Sequence, residues 1–352
     1  MEPTEQVVLV ASNLPVSSVD AALLSMASAE LRDARPHPSA RLWVLLHEQK
    51  LDAQTETDAA AVAASMAGVA VCAWTFEHVR RALPAVAAAL DASPSYARYA
   101  NSSREAYLAR YWWMHTSLLL WSATFSHAHP RLKYLWRLEA DVQWAGRLST
   151  LLDLAARTAA DLVLHKFATQ AQVGKYGVHG GGEWLDHWEA NQHLLTELPP
   201  SRRLFSLVSA GRYSPRFLRL LTLLWRRGVV GYEEILLPVA CSTAFRYHSI
   251  FKGDTCTMAA FSAGAGVTSL SLATAALMGC KASFRFRPEV ECAEFVEARR
   301  NEQNQLWHPV KERACILDFV SGKHTATRAR PRAPGNQTIL KNGFRAEPCT
   351  VR

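Results

Sequence analysis

The folded part of this 352-residue sequence lacks the excess of positive charge that marks most nucleic-acid-binding domains. The formal net charge is +8, but seven lysines and arginines against one acid lie within residues 321–352. That segment, rich in proline and arginine, therefore carries most of the net charge, and we predict a basic, disordered tail. The remaining residues are close to neutral and show no basic face interleaved with aromatics, so we predict no nucleic-acid partner.

The sequence also lacks a recognisable signal peptide, a C-x-x-C motif and a strongly apolar stretch of membrane-spanning length. Met1–Gln6 is acidic and polar, unlike a secretory leader. A soluble protein of the cytoplasm is therefore one open alternative. Thr255–Cys280 has no charged residue, but its glycines, serines and threonines keep its hydrophobicity modest, and we predict that it does not span a membrane. The seven cysteines are widely spaced, which argues against a zinc ribbon and leaves one or two disulfides open.

Short apolar runs alternate with helical patterns along the first half of the chain. The runs at 7–12, 41–46 and 69–74 are bounded by turn residues, as in buried strands. The segments between them have helical spacing, and Pro36 and Pro38 end the first of these helices. Such alternation predicts βαβ units, and therefore an α/β fold with a mostly parallel sheet flanked by helices.

Another apolar run, Tyr134–Leu138, leads directly into two acids, Glu139 and Asp141. If the chain stays extended there, the i, i+2 spacing places both side chains on one face. Two neighbouring acids beyond a buried strand repel, and a hard divalent cation carrying phosphate oxygens would compensate them. Ligands of open α/β sheets bind beyond the carboxyl ends of strands, which favours a site at this position. The alternative is an exposed acidic turn whose acids pair with Arg137 or a nearby lysine.

The sequence W-R-x-E-x-D-V at 136–142, followed by Trp144 and Gly146, resembles the metal-binding acidic motif of a poorly characterised family of GT-A-like glycosyltransferases. The usual D-x-D is E-x-D here. The resemblance covers about residues 104–311 and implies a GT-A-like, Rossmann-like fold. It further implies transfer of a hexosyl or pentosyl group from a nucleotide-diphosphate sugar to a hydroxyl of a glycan, glycoprotein or small molecule. A Mn²⁺ or Mg²⁺ cofactor and a Golgi lumen or membrane-associated location are also implied.

The same resemblance indicates which residues would bind the metal and the donor. Glu139 and Asp141 would hold the metal together with His308, which belongs to a sequence near the end of that family's domain. Arg137 and Lys311 would bind the nucleotide-sugar donor together with the two acids.

A second acidic sequence, Gly231–Pro238, resembles the part of the family that supplies a general base. Glu234 lies four residues before Pro238, as in that family, and would deprotonate or orient the acceptor hydroxyl. Alternatively, Glu233 or Glu234 only caps the helix that follows.

We predict one large domain over residues 1–320, followed by the tail at 321–352. The nucleotide-binding half would extend over about residues 1–165 and the acceptor half over about 166–320.

Two other functions stay open. In an α/β-hydrolase, His179–Gly182 would be the oxyanion loop and Ser262 the nucleophile of a near G-x-S-x-G sequence, with Asp318 and His324 following in order. A nucleophile elbow needs a strand ahead of it, however, and the residues at 253–258 make a poor one. The third class is a non-catalytic binding protein that keeps the GT-A fold.

Overall fold

The computed structural model describes residues 5–13, 16–33, 40–48, 53–66, 68–92, 116–156, 158–164, 167–170, 198–244, 256–262, 266–270, 284–286, 291–301, 306–308, 310 and 314–320. The strands are β1 (Glu5–Asn13), β2 (Ala40–His47), β3 (Val69–Trp74), β4 (Leu132–Glu139), β5 (Gln143–Trp144), β6 (Leu162–Leu164), β7 (Phe167–Thr169), β8 (Leu204–Ser206), β9 (Ala210–Tyr213), β10 (Met258–Ser262), β11 (Gly266–Leu270), β12 (Phe284–Phe286) and β13 (Leu306–His308). The helices are α1 (Ser18–Asp33), α2 (Ala53–Ser65), α3 (Phe76–Ala82), α4 (Pro84–Asp91), α5 (Leu148–Ala156), α6 (Pro215–Arg226), α7 (Glu233–Ser242), α8 (Cys292–Arg300) and α9 (Ala314–Val320). Residues 116–125 are also helical, and 3-10 turns occur at Ser126–Ala128 and Pro200–Arg202.

The central sheet has eight strands in the order β11-β10-β6-β9-β4-β1-β2-β3. β1 pairs in parallel with both β2 and β4, β2 pairs in parallel with β3, and β6 pairs in parallel with β10. β9 lies antiparallel between β4 and β6, and β11 is antiparallel to β10. Six of the eight strands therefore run in one direction. The predicted α/β class, with a mostly parallel sheet flanked by helices, is confirmed.

Alternate residues of β1 enter two separate cores on the two faces of the sheet. Val7 and Leu9 belong to the larger cluster, which also contains buried residues of α3, α4 and α6. Val8 and Val10 belong to the second cluster, with residues of α1, α2 and α5. A strand buried on both faces reads as a continuous apolar run, because each successive side chain points into a different core.

A small three-stranded sheet, β12-β13-β5, stands beside the central one. β13 is held there by α8 and α9 through a third apolar cluster that includes Phe295, Trp307 and Val310. The disulfide Cys292–Cys315 joins the same two helices, and a second disulfide, Cys241–Cys256, joins the end of α7 to the residues before β10. The spacing of the cysteines had left these pairings open.

Among the residues that the structure describes, no helix is both long enough and apolar enough to cross a membrane. The predicted tail at 321–352 lies outside those residues, and the division of the domain into two halves stays a prediction. The central sheet takes strands from both sides of residue 165.

Candidate active site

The two acids that follow β4 lie in a tight turn. β4 ends at Glu139, whose amide donates to the Ser209 carbonyl at 2.8 Å. The Val142 amide then donates back to the Glu139 carbonyl at 3.0 Å, which closes a turn over Glu139–Val142. The chain is therefore not extended through Asp141, so the condition under which the i, i+2 spacing places both side chains on one face is not met. Both acids are half-buried, so they are accessible at the carboxyl end of the strand.

A segment from the far end of the chain lies against this acidic turn. β13 pairs antiparallel with β5, with Trp307 opposite Gln143. Two residues after β13, the Val310 amide donates to the Asp141 carbonyl at 2.9 Å. The backbone of His308, which ends β13, is thereby placed next to the turn that carries Glu139 and Asp141. The imidazole of His308 and the whole of Lys311 lie outside the described part of the structure.

The helix that carries Glu234 is attached to β4 by a buried ion pair. α7 begins after Tyr232, so Glu233 and Glu234 occupy its first turn, and both are buried. The Arg137 guanidinium donates to Glu233 at 3.1 Å and to the Val208 carbonyl at 3.3 Å. Neither Arg137 nor Glu233 has any side-chain exposure. Arg137, predicted to bind the donor, thus lies in the core between the acidic turn and α7.

The charges of the site influence one another within this core. Burial raises the pKa of Glu233, while Arg137 opposes the rise. Burial lowers the pKa of Arg137, but its interactions with Glu233, Tyr213 and Glu139 outweigh burial and raise that pKa overall. These directions conflict, since a neutral Glu233 would leave a buried guanidinium without its counter-charge. Because a guanidinium keeps its proton and an unpaired buried ion costs several kcal/mol, we assign an ionised pair.

The acidic turn offers the donor chemistry that Mn²⁺ and Mg²⁺ prefer. Both cations bind hard oxygen ligands and take one or two protein carboxylates together with phosphate oxygens, so Glu139 and Asp141 fit this requirement. Among the described side chains, which do not include the His308 ring, no group of three histidines, cysteines or acids forms a complete metal cage. A site of two carboxylates completed by substrate oxygens is consistent with that finding.

The fold does not support the hydrolase alternative, because Ser262 does not lie in a nucleophile elbow. The described residues 256 and 257 form no strand, as expected for that segment, and β10 begins only at Met258 and contains Ser262 itself. Ser262 then pairs with Gly266 in an antiparallel hairpin, whereas a nucleophile elbow lies in a sharp turn between a strand and a helix. The oxyanion-loop candidate at 179–182 and His324 lie outside the described residues, and Asp318 is exposed on α9.

Sequence reasoning did not find Glu233 as the partner of Arg137. A signal was present, because an arginine inside an otherwise apolar buried strand requires an acid from another element. Two consecutive acids at 233 and 234 were available, but their distance from β4 along the chain hides the pairing.

Neither a protein-family model nor a curated protein matches the sequence. Some of the solved structures that are similar to this chain are glycosyltransferases. Core-mannan synthase A from Aspergillus fumigatus, in its Mn/GDP form, has a TM-score of 0.36 and 13% identity over 69% of this chain and 70% of that chain. Mouse xyloside xylosyltransferase 1 has a TM-score of 0.38 and 11% identity over 88% of this chain and 99% of that chain. The mannosyltransferase Ktr4p from S. cerevisiae has a TM-score of 0.32 and 12% identity over 64% and 61% of the two chains.

Proposed function

We propose that this protein is a metal-dependent glycosyltransferase that moves a sugar from a nucleotide-diphosphate sugar to an acceptor hydroxyl. The single observation that carries the proposal is the contact between the Val310 amide and the Asp141 carbonyl, at 2.9 Å. It brings the end of β13, with the backbone of His308, to the two acids at the carboxyl end of β4. A divalent cation needs oxygen ligands gathered at one place, and the two acids at this edge of the sheet would supply them.

In this proposal Glu139, Asp141 and His308 hold Mn²⁺ or Mg²⁺. When bound, the metal supplies positive charge that stabilises a leaving nucleoside diphosphate. Lys311, three residues after His308 in the chain, would face a phosphate.

Glu234 is proposed as the general base. It lies in the first turn of α7, one residue after the anchored Glu233. The acceptor oxygen would bond to the anomeric carbon while the bond from that carbon to the diphosphate oxygen breaks. The hydroxyl proton would pass to Glu234, and the nucleoside diphosphate would leave with the bonding electron pair.

For Arg137 we propose a positioning role in place of direct donor contact. Its full burial and its bond to Glu233 connect the strand of the acidic turn to the helix of the general base. The guanidinium would thereby fix the separation of the two proposed functional groups.

Disulfide bonds persist in oxidising compartments and are rare in the cytosol. The two disulfides described above therefore support the proposed Golgi lumen over a cytoplasmic location.

The proposal is tested by calorimetric titration with nucleoside diphosphates and nucleotide sugars, with and without Mn²⁺. We expect metal-dependent binding to wild-type protein and its loss in Asp141→Asn, while the control Asp91→Asn, an exposed acid at the end of α4, binds like wild type. Absence of binding by a folded wild-type protein would overturn the proposal. Binding without sugar transfer to any acceptor would favour the non-catalytic class.

A further inference from the structure

Ser209 lies directly opposite Glu139, where β9 meets the acidic turn. The Glu139 amide donates to the Ser209 carbonyl at 2.8 Å, which extends the β4–β9 register by one pair beyond Leu138 and Ala210. Residues that pair directly in an antiparallel ladder point to the same face, with their Cβ atoms about 5 Å apart. The Ser209 side chain therefore lies next to that of Glu139.

The face that these two side chains share is the one on which α7 packs. Side chains two residues apart along a strand point to the same face, so Glu139 lies on the face of Arg137. From that face Arg137 reaches Glu233 in the first turn of α7, at 3.1 Å. Ser209 therefore lies on the side of the acidic turn that looks toward the helix of the proposed general base.

The hydroxyl of Ser209 is almost buried, yet it is unused. Only 6% of the residue is exposed, and its hydroxyl has no hydrogen-bond partner among the residues that the structure describes. It is also not one of the unpartnered oxygen atoms that are sealed from solvent in the described core, so it reaches the open side of the site. Because hydroxyls at this depth are normally hydrogen-bonded, this one is suited to a ligand.

The backbone that carries this hydroxyl is fixed on both sides. The Arg137 guanidinium donates to the carbonyl of Val208 at 3.3 Å, and β9 begins at Ala210, directly after Ser209. The Glu139 amide holds the Ser209 carbonyl itself. A polar group held in this way needs little further ordering when a ligand binds.

We propose that Ser209 binds the sugar of the donor through one of that sugar's hydroxyl groups. This inference rests on the proposed function, which it deepens by naming a residue that recognises the transferred sugar. In that function the cation at Glu139 carries the diphosphate and Glu234 activates the acceptor, so the sugar lies between the acidic turn and α7. Ser209 stands beside Glu139 on that side. A serine hydroxyl both donates and accepts, as a sugar hydroxyl does.

The test compares two affinities of one variant. UDP-glucose, UDP-xylose and GDP-mannose, and the matching UDP and GDP, are titrated calorimetrically with Mn²⁺ into full-length wild type and Ser209→Ala. The variant should bind the sugar nucleotide about three- to tenfold more weakly, as expected for one neutral hydrogen bond, and the nucleoside diphosphate like wild type. An unchanged affinity for the sugar nucleotide would overturn the inference. Equal weakening of both ligands would assign Ser209 to the diphosphate and also overturn it.

Ser206→Ala is the matched control. Ser206 lies three residues earlier and is fully buried, and its hydroxyl donates to the Leu207 carbonyl at 3.3 Å. This variant should change neither affinity. The affinity of Ser209→Ala for the nucleoside diphosphate reports a folded site, which separates loss of folding from loss of the sugar contact. Equal weakening of the sugar nucleotide in the two variants would contradict the assignment.

Monodeoxy analogues of the donor that binds identify the sugar hydroxyl concerned. One analogue should bind wild type more weakly by the same factor as the parent donor binds Ser209→Ala. Combining that analogue with the variant should cause no further loss, because both changes remove the same hydrogen bond. Losses that multiply for every analogue would overturn the inference.

The same titrations separate failure of this inference from failure of the proposed function. A folded wild-type protein that binds neither nucleoside diphosphates nor sugar nucleotides would overturn the proposed function and this inference with it. Wild-type binding of both ligands, with unchanged affinities in Ser209→Ala, would overturn this inference alone.

Discussion

Arg137 and Glu233 form an ion pair with a contact of 3.1 Å and no exposure of either side chain, although they belong to elements almost a hundred residues apart in the chain. Each stands near a proposed functional acid, Arg137 two residues before Glu139 and Glu233 one residue before Glu234. A buried pair is a weak source of stability compared with apolar packing, but its geometry is demanding. The pair therefore ties the acidic turn and the helix end into one unit.

Replacing one member of this pair should lower the free energy of unfolding more than replacing both. We expect Glu233→Leu to lower the free energy of unfolding by about 3–5 kcal/mol, because the Arg137 guanidinium cannot shed its proton. Arg137→Leu should cost less, since Glu233 can take up a proton. The double variant should recover most of the loss. Urea unfolding followed by circular dichroism measures all three.

The exposed pair Arg80–Asp91, with a contact of 3.4 Å, provides the control. Arg80→Leu should change the free energy of unfolding by no more than about 1 kcal/mol. If Glu233→Leu were equally mild, the buried pair would not be ionised.

Asp161 should make stability depend on pH in the acid range. Burial raises its pKa, but hydrogen bonds from Arg216, Thr257 and Ser214 outweigh burial and hold the pKa below its usual value of 3.8. A lowered pKa in the folded state means that the stabilisation is fully present above the unfolded pKa and is lost as pH falls through the folded pKa. The stability difference between wild type and Asp161→Asn should be constant from about pH 7 to 5 and shrink below about pH 4.

Urea unfolding at a series of pH values checks this prediction, with Asp91→Asn as the exposed control. A difference that grew as the pH fell would contradict the lowered pKa of Asp161.

Gly211 leaves room for the Tyr213 ring near Arg137. It lies opposite Arg137 in the β4–β9 register, and a Cβ at Gly211 would come 2.9 Å from Leu164 Cδ2 and closer still to the Tyr213 hydroxyl. Gly211→Ala should therefore lower stability by about 1–3 kcal/mol through overpacking. Thermal melts measure the loss, and the added change Tyr213→Phe, which removes the clashing hydroxyl, should recover part of it.

The disulfides Cys241–Cys256 and Cys292–Cys315 should differ in their effect on metal binding. They close loops of similar length, with separations of 15 and 23 residues, so removal of either should cost about 3 kcal/mol of stability. Only Cys292–Cys315 fastens the helices that hold β13 beside the acidic turn. The double variant Cys292→Ala/Cys315→Ala should therefore weaken Mn²⁺ binding, while Cys241→Ala/Cys256→Ala should leave it unchanged. Calorimetric Mn²⁺ titration below the melting temperatures decides between them.

The elements near the N-terminus could be predicted because their signals are local. The runs at 7–12, 41–46 and 69–74 became β1, β2 and β3 with boundaries extended by no more than two residues. The start of α6 was also predictable, since the Ser214 hydroxyl accepts from the Phe217 amide at 3.1 Å and a proline follows the cap. α3 and α4 were not predicted, because both are short and their sequences give little helical periodicity.

The candidate site could be predicted in its parts and not in its arrangement. The sequence indicates acids beyond β4 and an acid pair at 233 and 234, but no local pattern joins Arg137 to Glu233. The direction of β9 also could not be foreseen, since an antiparallel strand of four residues inside a parallel sheet is decided by long-range packing. The extended spacing considered for Glu139 and Asp141 does not occur, because the Val142 amide closes a local turn onto the Glu139 carbonyl.

The contact between Val310 and Asp141 has a consequence for the order in which the molecule matures. The segment that reaches Asp141 is synthesised about 170 residues after it, so their meeting is among the most non-local contacts of the fold and is slow to form. The sheet core around β1 to β4 is complete in sequence long before then. A growing chain could thus contain a folded nucleus before the proposed ion-binding edge is complete, and this edge would form only when β13 and the residues after it have been synthesised.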